Sequence, residues 1–100
     1  MTTLYIAEFE AIYVRPASGA MAGHCPPLAE QTLSNTGGST ASAAFTQQTH
    51  LIRVHTDSIC SVRIGGTSPV ATTVNMRLAA GQTEYFVVVP GDKLAVILNT

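Results

Sequence analysis

Apolar side chains in this chain recur at every second position, in short runs cut by Gly, Pro, Asn and Asp, and no segment sustains the three-to-four-residue spacing of a helix. Period two belongs to strands, whose successive side chains point to opposite faces. Residues 4–14 alternate well. Tyr5, Ala7, Phe9, Ala11 and Tyr13 share one face, and Glu8 and Glu10 lie on the other, flanked by Ile6 and Ile12. Arg15-Pro16 ends that run. Residues 17–27, with Gly19, Gly23 and Pro26-Pro27, read as a loop that excludes a helix interior. Residues 30–34 read as a short strand and residues 35–39 as a turn around Gly37-Gly38. Residues 40–48 alternate again, with Ala41, Ala43 and Phe45 on one side.

The second half has the same grammar. Residues 51–56 place Ile52 and Val54 inward and Arg53 and His55 outward. Asp57-Ser58 turns the chain, and residues 59–64 return with Cys60, Val62 and Ile64 inward and Ser61 and Arg63 outward. This reads as a hairpin that lines up Arg53 with Arg63. After Gly65-Gly66 come a polar loop over 67–75, a short strand over 76–78, a turn around Gly81 and a strongly β segment over 84–89. Pro90-Gly91-Asp92 makes a tight reversal before a final strand over 93–98. About seven or eight short strands, turning every 8–12 residues or so, predict an all-β fold: a small antiparallel β-sandwich or a jelly-roll-like barrel. One hundred residues make one domain, with residues 1–25 expected as a strand plus loop arm that reaches partners.

Apolar residues make up 46% of the chain and charged residues 11%, against about 25% charged in ordinary domains. A net charge of −1 supplies no excess to draw nucleic acid or an anionic membrane. The longest apolar runs, residues 85–89 and 94–98, are far short of the ~20 residues of a membrane span. Residues 1–9 lack the features of a signal peptide, so assembly in the cytosol is expected. The polar surface is left to Thr, Ser, Gln and Asn. Either this is a Thr-rich β protein, or partners cover much of its surface, because interface cores are depleted of charge. Residues 84–89 bear on that choice. Phe86 and Val88 lie opposite Tyr85 and Val87, so both faces are apolar. Such a strand is either central beneath two layers or turns one face to another subunit. The chain is short for a three-layer β fold, which favours the subunit contact and marks Phe86 as an interface candidate.

Few constellations suggest chemistry. His24, His50, His55, Cys25 and Cys60 contain no Cys-x-x-Cys or His-x-His pair. His50 and His55 differ by an odd number, so in one strand they point apart. No metal or cofactor is expected, and the two cysteines should be free thiols. Glu8 and Glu10 would sit ~6–7 Å apart on one strand face, a spacing for an acid/base pair or for a solvated or partner-facing edge, and the edge is the reading adopted. No Gly-x-Ser-x-Gly elbow supports a hydrolase, and neither glycine pair has a phosphate-cradle pattern. Arg53 and Arg63 have no aromatic between them, which argues for an interface patch or a solvated face over a nucleic-acid stripe. The chain is therefore expected to be no enzyme, with Glu8, Glu10, Arg53, His55, Arg63 and Phe86 as interface candidates.

Several stretches resemble small proteins encoded beside the capsid genes of tailed phages and prophages. They are Leu51-Ile52-Arg53-Val54, Thr56-Asp57, Cys60-x-Val62, Gly65, Pro69, Met76-Arg77-Leu78-Ala79-Ala80, Glu84-Tyr85-Phe86 and the run from Pro90 through Asp92 and Leu94 to Ile97. Pro27-Leu28-Ala29-Glu30-Gln31 and Phe45 with Thr49 add to it, so the resemblance covers residues 26–98. It implies a virion component, a capsid decoration or cement protein bound to the major capsid protein. It also implies a homo-oligomer, with a trimer favoured. Alternatives are a head–tail adaptor, a tail or spike component, or a small cupin-like metal-binding protein using His24, His50 and His55. A carbohydrate-binding module is disfavoured by the lack of Trp.

Overall fold

The computed structural model describes residues 3–14, 21–23, 25–34 and 37–99, and these residues contain strands and no helix. The strands are β1 (Thr3–Phe9), β2 (Ile12–Val14), β3 (Met21–Gly23), β4 (Ala29–Ser34), β5 (Thr40–Ala41), β6 (Leu51–Thr56), β7 (Cys60–Ile64), β8 (Met76–Leu78), β9 (Thr83–Val87) and β10 (Leu94–Leu98). Eight of them form two four-stranded antiparallel sheets, ordered β4-β1-β6-β9 and β5-β10-β7-β8, and β2 pairs with β3 as a separate hairpin. The fold is the expected small all-β sandwich.

Alternating side chains from both sheets fill one core. The first sheet contributes Leu4, Ile6, Ile52 and Val54, and the second contributes Cys60, Val62, Leu78, Leu94 and Val96. Phe45 and Val88 complete the cluster, with Leu33, Ile64 and Phe86 packed at its margin. Burying each of the larger side chains stabilises the fold by about 1.5–3 kcal/mol relative to exposure.

Four sequence expectations are corrected. First, residues 4–14 are two strands: β1 ends at Phe9, the chain bends at Glu10, and β2 leaves to pair with β3, all of which lies in the stretch expected as loop. β1 is an inner strand between β4 and β6, so residues 3–9 belong to the sandwich itself. Its core face is Leu4, Ile6 and Glu8, and Tyr5 points outward. Both faces of β1 are largely apolar, so alternation alone left its sidedness open. Second, only Thr40–Ala41 of the 40–48 run is strand. The following loop inserts Phe45 into the core and is tied by Phe45 N–H to Asp92 O (2.8 Å) and Gly91 N–H to Phe45 O (3.2 Å). Third, β6 and β7 make no hairpin. The turn at Asp57-Ser58 carries the chain from the first sheet to the second, where β7 pairs with β10 and β8. A strand–turn–strand pattern is the same for a hairpin as for an arch between sheets. Fourth, Phe86 packs against the core margin, while Tyr85 and Val87 take the outer face.

Candidate functional site

The outer faces of the two sheets differ. On the second sheet Ser61 and Ala95 point away from the core, yet both are wholly buried. The 67–75 loop is laced over that face. Ala71 is buried and its N–H donates to Ser39 Oγ (2.9 Å). The Asn99 amide donates to Ser61 Oγ (2.7 Å) and Thr73 O (3.1 Å).

The first sheet's outer face is open over two rows of side chains, while in a third row, Phe9–Leu51–Val87, Phe9 and Leu51 are buried and Val87 is exposed. One row reads Thr32–Tyr5–His55–Thr83, and the next reads Glu30–Ala7–Arg53–Tyr85. Ala7 is the shortest member of its row, and the longer side chains around it wall an open groove of about 460 Å³ lined by Tyr5, Ala7, Glu30, Thr32, Arg53 and His55 among others. The two charges of the row face each other across Ala7, separated by two strand spacings, roughly 10 Å.

His55 is fixed in place. Its Nδ1 lies 2.8 Å from Thr83 Oγ1, its Nε2 lies 3.9 Å from Asp57 Oδ1, and its ring tilts at 46° to the Tyr5 ring with centroids 6.2 Å apart. No hydrogen bond or ion pair among the described residues holds the Arg53 guanidinium. It is half-buried, with its five donors available to an incoming acceptor. Beside it the apolar residues continue to the sheet edge: Tyr85 is 51% exposed, Val87 85% and Val89 64%. Arg and Tyr next to exposed aliphatic surface is the composition of a protein-binding surface.

The candidate residues are thus dispersed. Arg53 and His55 share this groove. Arg63 belongs to the other sheet, above a second depression of about 340 Å³ formed with Gly65, Gly66, Ser68, Pro69 and Val70. Glu10 is exposed at the bend after β1. Glu8, expected on a solvated or partner-facing edge, is buried at 2% exposure. Its Oε1 accepts the Thr46 N–H (2.9 Å) and the Thr49 hydroxyl (2.9 Å), and its Oε2 accepts the Gln31 amide (3.3 Å). Those donors let a carboxylate stay inside where an unpaired one would be expelled.

Tyr5, Tyr85 and Val87 are the site residues that the sequence did not single out. Their alternation was visible, but which face meets solvent was not. Among the described residues no group of three His, Cys, Asp or Glu converges as a metal site. His50 is exposed with its Nδ1 3.1 Å from Gln48 O, and His24 lies outside the described residues. Cys25 is exposed, Cys60 is buried, and neither forms a disulfide. No protein-family model, curated protein or solved structure significantly matches this chain.

Proposed function

We propose that this protein is a non-enzymatic structural component of a tailed-phage virion, a capsid decoration or cement protein that assembles onto the head shell in the bacterial cytoplasm. It attaches through the outer face of the first sheet. The observation that carries this reading is the contrast between the faces: one is roofed by the chain's own loop, and the other leaves Arg53, Tyr5, Tyr85 and Val87 uncovered. The resemblance over residues 26–98 supplies the setting, and nothing in it or in the groove calls for a cofactor, nucleic acid or a membrane. Many copies on one shell make a modest interface effective, because each contact adds to the stability of the lattice.

The test is co-sedimentation of the purified protein with shells of its own phage assembled without it, together with copy number per particle. Decoration expects binding in hundreds of copies. An adaptor ring would bind in six or twelve or so, and a tail or spike protein would leave shells untouched.

A further inference from the structure

β9 closes one side of the first sheet, and its free edge differs from the other three. β5 has two residues and β8 three, lengths that offer little to a second strand. β4 is tied to the loop that follows β5 through Gln31, whose Oε1 accepts the Ala43 N–H at 2.9 Å. β9 has five residues in unbroken register with β6 and has no Pro, Lys or bulge to blunt it. Two hydrogen bonds fix the phase of that ladder: Val88 N–H to His50 O (2.9 Å) and Thr56 N–H to Gln82 O (3.2 Å). Antiparallel strands alternate their bonding residues, so Gln82, Glu84, Phe86 and Val88 turn their backbone groups toward β6. The N–H and C=O groups of Thr83, Tyr85 and Val87 therefore point away from the sheet, where no strand among the described residues bonds to them.

We infer that β9 pairs antiparallel with β9 of a second copy, about a two-fold axis at Tyr85, joining two four-stranded sheets into one of eight strands. The edge is complementary to itself. With Tyr85 opposite its own counterpart, Thr83 meets Val87 of the partner subunit, and every outward N–H finds an outward C=O. The charges allow it as well. Glu84 falls opposite the partner's Phe86 and not opposite another carboxylate. The two Arg53 side chains stand three strand spacings apart, about 14 Å, beyond a Debye length of about 8 Å. Each lies across from its own copy's Tyr85 in register, so the two tyrosines stand between the two cations. The same step sets the exposed Val87 beside Thr83 of the partner subunit. This inference rests on the reading of the protein as an assembling module and puts a two-fold in place of the three-fold that the resemblance implied.

Sedimentation velocity of the full chain is expected to give twice the chain mass. Val87→Lys, at a side chain 85% exposed, should keep the circular dichroism spectrum of the folded chain and sediment as a monomer, while Val70→Lys, 62% exposed on a remote loop, should stay dimeric. Tyr85→Cys in a Cys25→Ser background should form a covalent dimer on mild oxidation. A directly opposed hydrogen-bonded pair sets Cα atoms about 5.5 Å apart, inside the disulfide range. A monomeric or trimeric wild type overturns the pairing, and so does a dimer that survives Val87→Lys and gives no cross-link. Shell binding is read separately. A monomer that binds shells removes the pairing and keeps the virion role, and a dimer that ignores shells does the reverse.

Discussion

Glu8 shows how one polar side chain can organise a core. β1 sends it inward among Leu4 and Ile6, and the 42–50 loop answers with the Thr46 N–H and the Thr49 hydroxyl, both 2.9 Å from Oε1. Thr49 is itself wholly buried, so its hydroxyl has no water to turn to. The carboxylate thereby anchors the loop that carries Phe45 into the sandwich. Glu8→Ala leaves the Thr46 N–H without its acceptor, at about 1–3 kcal/mol, and leaves the Thr49 hydroxyl with Thr46 Oγ1 (2.7 Å) as its remaining partner. A loss of about 2 kcal/mol in urea unfolding is expected, with Glu8→Gln losing less because its amide oxygen still accepts. Equal stability of Glu8→Ala and wild type would show that the loop is held by other means. The cysteines make a second residue-scale prediction. Exposed Cys25 should react with a thiol reagent in the native state, and buried Cys60, whose Sγ lies 3.5 Å from Thr56 Oγ1, only after denaturation. A native titration that consumes both thiols at one rate would contradict the burial of Cys60.

At the level of elements, the reversal after β9 depends on Gly91, which has φ +86°. A Cβ added there would meet Gln47 Nε2 at an ordinary 3.5 Å, so a substitution is opposed by backbone conformation and not by crowding. Gly91→Val should lower stability by about 2 kcal/mol, near the top of the left-handed penalty for a side chain, read as a drop in the denaturation midpoint. An unchanged midpoint would mean that the turn adapts freely. This turn was readable in the sequence, as were β6, β7, β8, β9 and β10, because each is a short alternating run between residues that break strands. What alternation could not provide was partnership and sidedness. The Asp57-Ser58 turn looks the same whether it returns a strand to its neighbour or sends it to the opposite sheet, so Arg53 and Arg63 were expected together and are found on different sheets. Tyr5 and Ile6, or Tyr85 and Phe86, are each apolar enough to face the core. The choice between them was made by tertiary contacts far along the chain, among them the donors that admit Glu8 to the interior.

For the molecule as a whole, the unequal outer faces make the proposed attachment directional, and paired charge reversals can read that direction. Arg53 is half-buried beside Tyr85 and the Ala7 groove, where a partner's carboxylate could meet its planar fork away from solvent. Arg63 is exposed on the sheet that the chain has already roofed. An exposed charge of that kind contributes little to binding, about 0–1 kcal/mol, whereas an Arg at the centre of an interface commonly carries 2 kcal/mol or more, about a thirty-fold change in affinity. Arg53→Glu should therefore weaken shell binding at least thirty-fold or so, and Arg63→Glu by no more than about five-fold, with both variants folded by circular dichroism. If the two reversals weaken binding equally, the attachment is a general charge effect. If Arg63→Glu alone abolishes it, the shell contacts the loop-covered sheet and the open face of the first sheet serves another purpose.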